Sequence, residues 1–222
     1  MHVGATAAGS SCQPGLRALG SRTTTTDTVV VVLHGGKAVS DAPAREHHLA
    51  YVRMVAVARR MHRAFANRGA AVWMVRNRLR GWNEPRLDAV ADARWALDEV
   101  AERHPRARIV LIGHSLGGRA ALRVAGRARV AGVCALAPWV DAGDPVHQLA
   151  PRPVLLVHGT RDRVTSAATS ARYVERARPS TPRIELATVR GSGHAMLRHK
   201  WKWDLLVERF VGELVLRSEG TS

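Results

Sequence analysis

The chain begins with weak patterning and then alternates regularly. Residues 1–27 are rich in Gly, Ala, Ser and Thr, include the run Thr23 to Thr26, and offer Leu16 and Leu19 as isolated apolar positions. A stretch of this kind has little apolar surface to bury, so it is expected to form an unstructured N-terminal extension. From Thr28 the pattern changes. Val29 to Leu33 is an unbroken apolar run, mostly β-branched, closed by His34-Gly35-Gly36. A short run that is apolar on both faces suits a strand covered on both sides, as in a parallel sheet. Similar runs predict strands over 71–75, 109–112, 130–136, 154–157 and 183–189.

Between these runs the apolar positions recur at helical spacing. Leu49, Val52, Val55 and Met61 mark a helix over 46–67, closed by Asn67-Arg68-Gly69. Leu87, Val90, Trp95, Leu97 and Val100 mark another over 87–102, with Pro85 near its start and Pro105 beyond its end. Further helices are expected to about Arg127, over 166–178 and over 195–216. Six strands interleaved with helices predict an α/β fold: a mostly parallel six-stranded sheet with helices on both faces, formed by residues 28–222 as a single domain.

Composition narrows the class. With 222 residues, 46% hydrophobic and 23% charged, the chain can close a core without a metal or disulfide staple. Two cysteines, Cys12 and Cys134, make neither a disulfide scaffold nor a thiolate metal site, and the histidines and carboxylates show no His-Glu-x-x-His pair. No nucleotide-binding glycine signature is present, so neither metal nor cofactor is expected. No apolar run reaches the ~18–20 residues of a membrane span, and no signal-peptide pattern stands at the start; the cytoplasm is the expected location. The net charge of +16 is unusual, but three of the 34 basic residues are lysine and the arginines are scattered rather than blocked. A dedicated nucleic-acid role is therefore not expected. Trp201 and Trp203 alternate with Lys200 and Lys202, which is read as one core tryptophan with lysines at the surface.

Candidate chemistry lies at the ends of the runs. Gly113-His114-Ser115-Leu116-Gly117 fits Gly-x-Ser-x-Gly and falls between a buried strand and a helix. In that setting the serine sits on a sharp turn with its hydroxyl presented. The glycines let strand and helix backbones approach, and the helix N-terminus supplies positive potential. Ser115 is the candidate nucleophile, and the amide of Leu116 is a candidate oxyanion donor.

With the following glycine, the motif Gly-His-Ser-Leu-Gly-Gly resembles the nucleophile elbow of the α/β-hydrolase family, and the resemblance extends over about residues 28–216. It implies a serine nucleophile followed in chain order by an acid and a histidine. The family places its histidine in the loop after the last strand, where this chain has Gly191-Ser192-Gly193-His194. It commonly carries His-Gly-x-x-Asp after an earlier strand, matched by His158-Gly159-Thr160-Arg161-Asp162. Asp141 and Asp144, one strand earlier, are the alternative acids. By the same resemblance Gly36 supplies the second oxyanion amide, with Lys37 the second choice. His114, His34 and His158 are read as supporting residues.

The interval from the fourth predicted strand to the fifth, about residues 137–152, holds several prolines and is too short for a folded cap. An open site of this kind suits small esters. Lys37, Trp82 and Trp139 lie at strand carboxyl ends and are candidate pocket residues. The expected function is ester hydrolysis of a small molecule through an acyl-enzyme. Thioesterase, amidase or acyltransferase chemistry, or a non-catalytic binding role, are the alternatives; the oligomeric state is left open.

Overall fold

The valine run that opens the patterned region forms the centre of a sheet. A computed structural model describes residues 13–181 and 183–216; Cys12 and the first part of the expected extension, residues 1–12, lie outside the described residues. The elements run β1 Gly15–Leu19, β2 Thr28–Leu33, α1 Leu49–Phe65, β3 Ala70–Arg76, α2 Asp88–Arg103, β4 Arg108–His114, α3 Leu116–Val124, β5 Val130–Leu136, β6 Val154–Gly159, α4 Ala167–Ala177, β7 Ile184–Val189 and α5 Lys200–Leu216. The strand order is β1-β3-β2-β4-β5-β6-β7, with β1 antiparallel to β3 and the other neighbours parallel.

The sheet has seven strands, not the six predicted. The seventh, β1, arises within the stretch read as an extension. It is a five-residue edge strand with Arg17 at its centre. Its two leucines pack on opposite faces of the sheet, Leu16 against one core layer and Leu19 against the other. A short, half-exposed edge leaves almost no alternation to detect, and pairing with β3 supplies the order that local patterning lacks.

Strand side chains alternate between faces, and this splits the core in two. Val29, Val31 and Leu33 face α2, α3 and α4. Val30 and Val32 face α1 and α5. Cys134, on β5, is buried as a free thiol, and burial raises its pKa well above the ordinary range. Between β5 and β6 the only helical segment is the 3-10 turn His147–Leu149. No helix among the described residues is long and apolar enough to cross a membrane.

Candidate active site

Four loops meet at the carboxyl ends of β2, β4, β6 and β7, the edge at which open α/β sheets bind ligands. They carry His34-Gly35-Gly36, Ser115, Asp162 and His194 respectively.

Ser115 links β4 to α3 with φ 56° and ψ −118°. A side chain in that region costs about 1–3 kcal/mol and persists only where its surroundings enforce it. Here the enforcement is steric and polar. A Cβ on Gly113 would collide with the carbonyl of Gly117. One on Gly117 would stand 2.5 Å from the His34 carbonyl oxygen and 2.6 Å from that of Leu33. Only glycine lets strand, turn and helix pack this closely. The Ser115 amide donates to the Leu136 carbonyl (2.9 Å), and its own carbonyl accepts from the Trp139 amide (3.2 Å).

The Asp162 side chain is buried, and its carboxylate is surrounded by donors. One oxygen accepts from the amides of Val164 (2.8 Å) and Thr165 (2.9 Å). The other meets the Thr165 hydroxyl (2.9 Å), His194 Nδ1 (2.9 Å) and His158 Nε2 (3.3 Å). Burial alone would raise the pKa of this carboxyl. The Thr165 amide, the His194 ring and the Val164 amide outweigh it and hold the pKa below the ordinary value. An ionised carboxylate only accepts, so the proton in this bond sits on His194 Nδ1 and Nε2 is the free ring nitrogen. Among the described residues no hydrogen bond joins the Ser115 hydroxyl to His194. Such contacts tighten when substrate binds.

The alternative acids are committed elsewhere. Asp144 is buried between Arg119 Nε (2.8 Å) and Arg123 Nη2 (2.6 Å), and Asp141 meets Arg119 Nη2 at 2.6 Å. The carboxylate that meets His194 is that of Asp162.

Three further histidines hold the loops. His34 Nε2 accepts from the Asn77 amide (3.1 Å), which leaves Nδ1–H to donate to the Gly35 carbonyl (2.6 Å). Burial lowers its pKa to about 4, so the ring is neutral. His114 Nε2 donates to the His194 carbonyl (2.9 Å), and the two rings lie 4.7 Å apart. Its pKa is lowered to about 3, first by burial and then by His194. His158 is buried between Asp162 and the Ser170 hydroxyl (3.0 Å). Trp203 Nε1 donates to the Ser192 hydroxyl (2.9 Å), which fastens the loop before His194 to α5. Trp201 is exposed and Trp203 is core, as the pattern predicts.

The oxyanion candidates separate by their partners. The Lys37 amide donates to the Arg80 carbonyl (2.7 Å) and is spent, whereas the amides of Gly36 and Leu116 have no acceptor among the described residues. A Cβ on Gly36 would meet the Arg80 carbonyl and would lie 3.1 Å from a Leu116 methyl, so Gly36 packs against the Leu116 side chain. A Cβ on Gly35 would lie 3.3 Å from the Cβ of Ser115.

The pocket expectation for Trp82 is corrected. Trp82 is 1% exposed and donates from Nε1 to Glu84 (2.9 Å). The Arg119 guanidinium stacks between it and the partly exposed Trp139, 4.5 Å and 4.8 Å from the ring centres. The requirement met here is neutralising and covering a buried arginine, not lining a ligand pocket. The Lys37 side chain is exposed beyond Gly36.

Thr165 and Arg119 escaped the sequence reading. Thr165 carried a usable signal: Asp-x-x-Thr is the spacing at which an aspartate caps the backbone two and three residues on. Arg119 carried none, because its partners come from distant segments. No group of three or more His, Cys, Asp or Glu side chains among the described residues is arranged to hold a metal.

A model of the alpha/beta hydrolase family matches residues 30–151, a span that contains Ser115 and stops before Asp162 and His194. No curated protein matches the chain. Similar solved structures include Est1E from Butyrivibrio proteoclasticus, with TM-score 0.70, 16% identity, and coverage of 91% of this chain and 95% of that one. An alpha-beta serine hydrolase homologue from Coxiella burnetii gives TM-score 0.66 and 17% identity, over 88% and 90% of the two chains. A serine hydrolase without lid from Xanthomonas campestris gives TM-score 0.66 and 17% identity, over 90% and 88%. At these identities the likeness concerns the fold, and it agrees with the family match: the chain belongs to the alpha/beta hydrolase family.

Proposed function

We propose that the protein is a serine hydrolase that cleaves carboxylic esters of small molecules through an acyl-enzyme. One observation carries this reading: a histidine bonded at 2.9 Å to a buried carboxylate, in the loop cluster that also holds a serine on a strained strand-to-helix turn. His194 Nε2 takes the Ser115 proton as Oγ attacks the carbonyl carbon, and the amides of Gly36 and Leu116 receive the oxyanion. His194 then protonates the leaving alcohol. Water, deprotonated by the same ring, attacks the acyl-enzyme and releases the acid. Asp162 keeps Nδ1 protonated and favours the imidazolium that forms in both steps.

Two further facts support the ester assignment. The β5–β6 connection carries only a 3-10 turn and no cap, which leaves the site open to small substrates. Est1E, which shares the fold, is described with ferulic acid bound. The same residues serve thioester, amide and acyl-transfer chemistry, so the test compares substrates. A fluorophosphonate probe should label the wild type and leave Ser115→Ala unlabelled. A panel of p-nitrophenyl esters, thioesters and anilides should show turnover greatest on the esters and lost in Ser115→Ala. Equal labelling of Ser115→Ala would remove that serine from the mechanism.

A further inference from the structure

The cleft between α1 and α5 combines an apolar wall with one unanswered charge. A cavity of about 320 Å³ lies there, lined by Leu49, Val52, Leu136, Met196 and Leu197 together with Arg53. Such a volume is in the range of small-molecule sites. Its rim is costly in water: Leu49 and Leu197 are 78% and 76% exposed. Leu49, Val52 and Arg53 share one face of α1, since residues three and four apart in a helix are neighbours.

Arg53 is half-buried, and among the described residues its guanidinium has neither an ion-pair partner nor a hydrogen-bond acceptor. The other charges of the cleft are satisfied. Lys200 pairs with Asp204 at 2.5 Å, and Arg60 approaches the same carboxylate at 3.8 Å. Burial lowers the pKa of Arg53, and its charge is one of the lesser influences that lower the pKa of His114. A guanidinium half removed from water without a counter-charge is held at a cost that an incoming anion relieves.

The cleft shares the Leu49 wall with a cavity beside the candidate oxyanion loop. Leu49 lines a second cavity, of about 330 Å³, whose walls include Gly35, Gly36 and Arg80. A chain that left a carbonyl at Gly36 and turned past Leu49 would enter the α1–α5 cleft, whose wall includes Met196 from the segment after His194.

We propose that this cleft is the acyl-chain arm of the site and that it selects esters whose apolar acyl chain ends in a carboxylate, taken by Arg53. This rests on the hydrolase reading above, and it narrows the expectation of small esters to half-esters of medium-chain dicarboxylic acids.

The test pairs two esters of equal chain length, p-nitrophenyl hexanoate and the mono-p-nitrophenyl ester of adipic acid. The kcat/KM ratio of the anionic to the neutral ester is compared within each protein, so that expression and folding cancel. The wild type should favour the anionic ester. Arg53→Met should lower the ratio by about tenfold or more, the size of a lost hydrogen bond to a charged group. Arg53→Lys, which keeps the charge, should retain most of the preference. Arg59→Met, on the exposed surface of the same helix, should leave the ratio unchanged. Binding is measured separately by calorimetry with sodium octanoate, which should bind the wild type saturably and bind Arg53→Met about tenfold or more weakly. A ratio indifferent to Arg53→Met, or octanoate binding that is absent or insensitive to it, overturns the proposal. So does burial of the cleft in a dimer that octanoate does not dissociate. Octanoate bound through Arg53 by a protein that hydrolyses neither ester would instead sink the hydrolase reading and leave the cleft standing.

Discussion

At the scale of single residues, the site is organised around protons that are held in place. Asp162 is surrounded by donors, so its carboxylate stays charged and His194 Nδ1 stays protonated. Asp162→Asn presents an amide donor to Nδ1 and reverses the ring tautomer. On the proposed mechanism kcat should fall about 10⁴-fold with little change in KM, measured on a p-nitrophenyl ester. A loss of less than tenfold would assign the orienting role to another group. The supporting histidines give a second expectation. His34 and His114 have pKa values lowered from 6.5 to about 4 and about 3 in the folded chain. Between those values and 6.5 the unfolded state binds the extra protons. Their stabilising contribution is therefore complete above about pH 6.5 and drains away as the pH falls through that window. Urea unfolding should show a lower midpoint at about pH 5 than at about pH 7, and His34→Gln should flatten the slope. A level midpoint in the wild type would contradict the assignment. The depressed Asp162 carboxyl adds a further loss below about pH 4, as it becomes protonated.

At the scale of elements, the loop between β5 and β6 is pinned rather than free. Arg119 rises from the first turns of α3 and meets Asp141 and Asp144 while stacked between Trp82 and Trp139. The Trp139 amide meanwhile bonds the Ser115 carbonyl. The segment between β5 and β6 is thereby tied to the helix that follows the elbow. Removing Arg119 leaves Asp144 buried with Arg123 as its remaining cation. Arg119→Ala should destabilise the fold by about 3–5 kcal/mol, measured by chemical denaturation. It should also raise amide exchange over residues 137–150 before the rest of the sheet. Uniform exchange would show that the loop does not depend on this arginine.

At the scale of the whole molecule, the +16 charge surrounds a site whose chemistry uses few charges. Scattered arginines such as Arg59 and Arg63 lie on exposed or half-exposed helix positions. Their summed field attracts anions over a distance set by salt. Raising ionic strength from about 0.01 to about 0.15 M shortens the screening length from ~30 to ~8 Å. The kcat/KM for an anionic ester should fall steeply over that range, while that of a neutral ester of equal length should change little. Parallel responses would make the charge irrelevant to substrate capture.

The sequence by itself determined what local pattern can determine. The strand–helix alternation from Thr28, the elbow at Ser115 and the chain order of Asp162 and His194 were legible because each is written in adjacent residues: β-branched runs, paired glycines, a turn after a strand. Tertiary structure decided what depends on partners far apart in the chain. It gave β1 its place by pairing with β3 and engaged Asp141 and Asp144 with arginines. It also buried Trp82 against Arg119 and spent the Lys37 amide on Arg80. The lone guanidinium of Arg53 belongs to the same class. Its position in α1 could be read from the chain, but the absence of a counter-charge is a property of everything packed around it. Hydrophobic periodicity specifies which face of an element is covered; which polar group answers which is settled only when the faces meet.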